Sequence, residues 1–188
     1  MIYSTLIYML LILWAIVPFR QIGKVHFYFF LAGIGGDITT YIARIVFHSN
    51  TNLFVIIFLF LAFISLFDRD TIIKNKIIII IVLVSLIFID LKTSYKMDFI
   101  LVDILNLVIL IAFLTDFILQ YTGKRIFSLP LMFLVFYELT VVTKYVSLIT
   151  EFKNDYSYFI SASVFEATIG LFFCIFKEDD TRINIQLK

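Results

Sequence analysis

Six ionisable side chains stand inside long apolar runs of this chain: Asp37, Arg44, Asp103, Glu138, Lys144 and Glu166. A charge at membrane depth costs about 2.5–3.5 kcal/mol on insertion scales, so such groups face other helices or a cavity and mark pairing, proton or ion relays, or ligand sites. The densest stretch is Gly33-Ile34-Gly35-Gly36-Asp37-Ile38-Thr39-Thr40-Tyr41-Ile42-Ala43-Arg44. At about 100° per residue an acid and a base seven apart fall nearly on one helical face. Asp103 and Asn106 are three apart, as are Ser163 and Glu166, with Gly170 one turn further on. These polar residues therefore belong to faces that look inward.

Several chemistries fail on residue type alone. There is no His-Glu-x-x-His, no Gly-x-Ser-x-Gly and no glycine-rich phosphate loop. The two histidines, His26 and His48, fall near opposite membrane faces and read as interfacial groups that share no metal. Cys174 is the only cysteine, which excludes an intramolecular disulfide and a thiolate cluster, and it reads as a small apolar filler. Gly33 to Asp37 approaches the Gly-x-Gly-Asp of intramembrane aspartyl proteases, but its first glycine is one residue early and the preceding helix holds no acid. A retinal Schiff base needs a lysine in the middle of the last helix, and Lys177 lies beyond its end. What remains is acid–base work by Asp37 with Glu138 or Glu166, should those carboxylates meet. The expectation is a protein that is not an enzyme and carries no cofactor.

The elements that must position these groups follow from composition. The chain is 62% hydrophobic and 18% aromatic, with a mean hydropathy of +1.06, and only 15% of its residues are charged. Soluble domains run nearer 45–50% apolar and about 25% charged, so the expected solvent is lipid. Net charge is +1, too small for a nucleic-acid partner. Apolar runs predict seven helices in one integral membrane domain over 1–188: about 2–19, 25–47, 53–67, 77–91, 99–119, 127–149 and 158–176, with a polar tail over 177–188. The first run lacks a basic leader and a small-x-small cleavage site and reads as a retained signal anchor. The third and fourth runs are short for a span of about 20 residues and cross only if polar flanks such as Asn52 and Lys76 reach the headgroups.

Lysine and arginine asymmetry sets the threading. With the N-terminus outside and the C-terminus inside, Arg20, Lys24, Arg69, Lys74, Lys76, Lys124, Arg125, Lys177, Arg182 and Lys188 fall inside, ten of the fifteen basic residues. By a rise of about 1.5 Å per residue, Arg44, Asp103 and Lys144 lie about 5–8 Å from the outer end of their helices, Glu166 about 12 Å, and Asp37 and Glu138 about 15 Å. Asp103 is thus placed to pair with Arg44 or Lys144. Gly33, Gly36 and Gly170 are expected to let neighbouring helices approach closely.

Asp37-Ile38-Thr39 with Arg44, and Glu138-Leu139-Thr140 with Lys144, suggest a parallel repeat of three helices, a linker helix and three more. That layout looks like the one sugar-efflux and vitamin permeases have. Their proline-glutamine and tryptophan-rich motifs are missing, since Pro18 precedes Phe19 and Trp14 is the single tryptophan. No family is assigned on this layout. The expected architecture is an all-α polytopic bundle in the cell membrane. Its expected role is that of a sensor or a subunit of a larger membrane complex, partnered by lipid and by another membrane protein. A small permease or ion-coupled carrier, with a small solute or cation in the charge cluster, is the alternative. Six glycines and two prolines are few for broken, moving helices.

Overall fold

The computed structural model describes residues 2–47, 51–92, 95–150 and 155–186. His48 and the polar turns over 48–50, 93–94 and 151–154 lie outside the described residues. The order is α1 (Ile2–Arg20), α2 (Phe27–Phe47), α3 (Asn52–Ile64), α4 (Arg69–Lys74), α5 (Lys76–Lys92), α6 (Tyr95–Gly123), β1 (Ile126–Ser128), α7 (Leu129–Thr150), α8 (Asp155–Ile175) and β2 (Asn184–Gln186).

The fold is all-α apart from one small ladder. Four helices are long and apolar enough to cross a membrane: Phe27–Val46, Met97–Gly123, Leu129–Thr150 and Ser157–Ile175. Two shorter apolar helices, Tyr8–Arg20 and Asn52–Ile64, accompany them. At about 1.5 Å per residue α3 is roughly 20 Å long, well under a hydrocarbon core of about 30 Å.

Neighbour relations give the bundle its shape. α1 packs on α2, α2 on α3, α3 on α6, α6 on α7, α7 on α8, and α8 back on α1. Six helices thus form a closed ring. α5 stands outside it against α3, and none of its residues is buried. Ile77, Ile78, Ile80, Ile81 and Ile89 are exposed along it.

One end of the ring is filled. Val17, Phe29, Phe30, Ala62, Ile109, Phe113, Leu131, Leu134, Ile169 and Phe173, drawn from all six helices, form a single buried cluster. Phe29 meets Phe113 edge to face at 5.0 Å, and Phe30 meets Phe173 at 4.9 Å. Such pairs add about 0.5–1.5 kcal/mol each beyond the area they bury. Close contacts tie the ring together. A Cβ on Gly36 would lie 2.9 Å from Phe58 Cβ, and one on Gly170 would lie 2.9 Å from Leu13 Cδ2. Gly33 is a correction to the sequence expectation: nothing stands within 4 Å of where its side chain would be. Gly35, 2.8 Å from Phe58 Cε1 on the same basis, makes the close approach in its place. Which glycine of a run meets its neighbour depends on helix rotation, which spacing does not fix.

Element boundaries also shift. The charged segment after α3 holds the short helix α4. α6 begins four residues before the expected Phe99. Its Asp98 is 2% exposed and accepts a 3.2 Å hydrogen bond from Asn52, so this stretch is drawn inward instead of looping into solvent. α7 starts at Leu129 because Ile126–Ser128 is extended and pairs antiparallel with Asn184–Gln186. The polar tail is therefore part of the fold, docked through backbone hydrogen bonds that a free tail would leave to water.

That docking belongs to a polar clasp over the filled end. Gln21 is fully buried and donates to the carbonyls of Phe173 and Phe176, both at 2.8 Å. These carbonyls close α8, whose last turn would otherwise leave them unpartnered. The Glu178 amide donates back to Gln21 at 3.2 Å. His26 is buried. Its backbone N–H donates to Glu178 Oε2 at 3.2 Å, and its Nδ1 lies 3.0 Å from the same oxygen. This replaces the expected interfacial role of His26 with a packed, hydrogen-bonded one. Lys24 pairs with Asp179 at 2.5 Å. Gly23, at φ +76, makes the reversal that brings the segment round. Further along the tail, hydrogen bonds from Arg182 hold the Asp180 carboxyl down at about 2, below its ordinary 3.8.

Candidate functional site

The other half of the ring is hollow. A cavity of about 470 Å³ lies among α1, α2, α6, α7 and α8, within the 300–1,000 Å³ usual for small-molecule sites. Asp37, Thr40, Tyr41 and Arg44 line it from α2, Tyr137, Val141, Lys144, Tyr145 and Leu148 from α7, and Phe159, Ser163 and Glu166 from α8. Leu10, Leu11 and Trp14 close it from α1, and Phe99 from α6. The i, i+3/i+4, i+7 spacing of the α2 and α7 residues explains how single helix faces deliver them.

Lys144 and Glu166 pair across α7 and α8, Nζ to Oε2, at 2.7 Å. The same ammonium donates to Ser163 Oγ at 3.4 Å and sits 5.8 Å from the centre of the Phe159 ring. Asp37 stands about ten residues, or roughly 15 Å, along α2. It lies deep in the bundle and yet keeps open surface, because the space before its carboxylate is the cavity and not a side chain. Arg44 is exposed near the C-terminal end of α2 on the same face. Among the described residues neither Asp37 nor Arg44 has a hydrogen-bond or ion-pair partner.

A second chamber of about 130 Å³ shares Asp37, Tyr137, Val141 and Tyr145 with the first as a common wall. Gly33, Gly36, Phe58, Asn106 and Glu138 are among its other walls. Glu138 is 2% exposed, and its Oε2 has no hydrogen-bond partner among the described residues. Asn106 is buried and spends one donor on the Val102 carbonyl at 2.9 Å. Tyr137 packs against Trp14 with ring centres 4.6 Å apart and planes tilted by 44°, joining α7 to α1 at the chamber wall.

The structure thus brings Asp37, Arg44, Lys144 and Glu166 to one cavity, with Glu138 and Asn106 in the next chamber. Asp103 is the exception. It lines neither space, and its buried Oδ1 has no hydrogen-bond partner among the described residues. The expected Arg44–Asp103 pair is absent among the described residues, because α3 packs between α2 and α6 and separates them. Lys144 takes Glu166 instead. Sequence reasoning also passed over the aromatic lining, Trp14, Tyr41, Tyr137, Tyr145 and Phe159, because aromatic residues are spread along the whole chain and carry no local signature.

Among the described residues no group of three or more His, Cys, Asp and Glu is arranged to hold a metal. What the arrangement offers is a largely apolar hollow with one open acid, one open base and an internally satisfied ion pair. Comparison with protein-family models, curated proteins and solved structures gives no match.

Proposed function

We propose that this chain is a multi-pass membrane protein that takes a small polar solute into the charged cavity and acts as a sensor or as the solute-binding subunit of a larger membrane complex. Seven spans are proposed, with α1, α3 and α5 joining the four longer apolar helices and reaching the headgroups through polar flanks. The N-terminus lies outside and the C-terminus inside, in keeping with the basic residues that cluster around the clasp. The observation that carries the reading is the convergence of Asp37, Arg44, Lys144 and Glu166 on one cavity of about 470 Å³.

A carrier is the second reading, and the ring itself favours it. The contacts α1–α2, α2–α3 and α3–α6 are matched by α6–α7, α7–α8 and α8–α1. This is the pattern of two three-helix repeats about an axis along the bundle, with α5 as linker, and Asp37 and Glu138 fall at corresponding places. Transporters with parallel repeats bind solute at such a repeat interface.

The test uses the full chain in lipid nanodiscs, titrated with a library of small metabolites. The single tryptophan, Trp14, lines the cavity and reports on it by fluorescence. A saturable change that Asp37→Asn weakens, with helix content kept, supports the site. Silence across the library overturns it. Liposomes loaded with the responding solute then divide the readings: Asp37-dependent flux makes the chain a carrier, and binding without flux leaves a sensor or subunit. A chemically altered solute would make the Asp37 and Glu166 carboxylates catalytic and overturn the non-enzymatic assignment.

A further inference from the structure

The cavity's charges specify more than polarity. Lys144 and Glu166 satisfy each other at 2.7 Å. Asp37 and Arg44 are left open, one deep and one at the mouth, on nearly the same face of α2 and about 10.5 Å apart along its axis. The four side chains sum to zero. A cationic solute would satisfy Asp37 and leave a guanidinium uncompensated, and an anion would do the reverse. In the low-dielectric depth of the hollow an uncompensated Asp37 is the costly group, while Arg44, exposed at the mouth, draws the anionic end of a solute toward it.

Resting on the solute-binding reading, we infer that the ligand is a net-neutral zwitterion, its ammonium group against Asp37 and its anionic group against Arg44. The space between them is walled by Trp14, Tyr41, Tyr137 and Tyr145, whose faces attract an ammonium and whose edges pack an aliphatic body. An extended dipeptide spans at most about 7 Å. A free amino acid is shorter, and the flexible arm of Arg44 folds inward to meet either. The same ammonium-and-anion chemistry is present in a zwitterionic lipid headgroup, which would enter from the open side near Arg44.

The experiment measures Trp14 fluorescence of the full chain in phosphatidylglycerol nanodiscs, a lipid with no ammonium group. L-leucine and L-alanyl-L-alanine carry both charges, leucine methyl ester keeps only the ammonium, and N-acetyl-leucine keeps only the carboxylate. The expected result is that at least one zwitterion binds ten-fold or more tighter than either single-charge derivative. Asp37→Asn should shift preference toward N-acetyl-leucine and Arg44→Gln toward the ester, both with unchanged helical circular dichroism. If soluble zwitterions are silent but exchange into phosphatidylethanolamine moves the Trp14 signal in an Asp37- and Arg44-dependent way, the zwitterion is the headgroup and the assignment stands. Equal binding of all four probes, or tightest binding of a single-charge probe, overturns the zwitterion assignment and leaves a solute site in place. Silence in every arm overturns the zwitterion assignment as well, and a library solute of another class would then still uphold the binding site.

Discussion

Replacing Lys144 by methionine strands Glu166, whose side chain is 10% exposed, and removes its only ion-pair partner among the described residues. Breaking a buried pair in this way costs about 3–5 kcal/mol. Because the pair borders a cavity that water can enter, the lower end applies, and about 3 kcal/mol of destabilisation is expected for Lys144→Met. Glu166→Gln should cost less, about 1–2 kcal/mol, since the stranded ammonium keeps Ser163 and the Phe159 ring. The double variant removes both charges at once and should fall within about 1 kcal/mol of the parent, as isosteric replacement of buried pairs does. The coupling between the two sites is then about 3–5 kcal/mol. Equilibrium unfolding in mixed micelles, followed by helical circular dichroism for the four proteins, measures it. A coupling under about 0.5 kcal/mol, the scatter of independent sites, would mean that water screens the pair fully, and the low-dielectric hollow argued above would fall.

Three further outcomes are expected. Gln21→Ala abolishes two donated hydrogen bonds and one accepted bond at the end of α8; it should cost about 2–4 kcal/mol and raise amide exchange over 176–186 in hydrogen-exchange mass spectrometry. Gly36→Ala drives a Cβ to 2.9 Å from Phe58 Cβ and should lose about 1–3 kcal/mol in the same unfolding assay, whereas Gly33→Ala meets nothing and should be neutral or gain up to about 1 kcal/mol from helix propensity. The Asp180 carboxyl is held at about 2 by Arg182, so its contribution to tail docking is complete above the ordinary 3.8 and is lost as pH falls through about 2. Carboxyl carbon NMR should show that midpoint, and Arg182→Gln should return it toward 3.8.

How much of this was legible in the sequence depends on the kind of information each residue carries. Asp37, Glu138, Lys144 and Glu166 stood out because a charge in an apolar run is expensive wherever it points. Depth along a helix follows from residue count. Neighbour order around the ring is not in the count. Nothing in either helix says that α3 comes between Arg44 and Asp103, and that one fact exchanges their expected pairing for Lys144 with Glu166. The clasp joins Gln21 and His26 to residues more than 150 positions away through ordinary polar side chains. Strands of three residues such as β1 and β2 are too short to show an alternation.

The two halves of the ring differ in what their residues do for stability, and this bears on why the charges are there. In the filled half, ten buried apolar residues from six helices interlock with edge-to-face rings and supply packing that needs no polar group. In the hollow half, the pair of Lys144 with Glu166 offsets little more than its own desolvation, since apolar residues of similar volume would hold α7 against α8 about as well. Asp37 and Arg44 contribute less still to holding the bundle, having no partner among the described residues. A bundle selected only to stay together would have continued the aromatic packing upward from Phe30 and Tyr137. Here the packing stops at Asp37, beside Gly33, where no side chain fills the space. The hollow and the open charges occur together, and the proposed solute would account for both: it would occupy the volume the side chains leave and supply the charges that Asp37 and Arg44 lack.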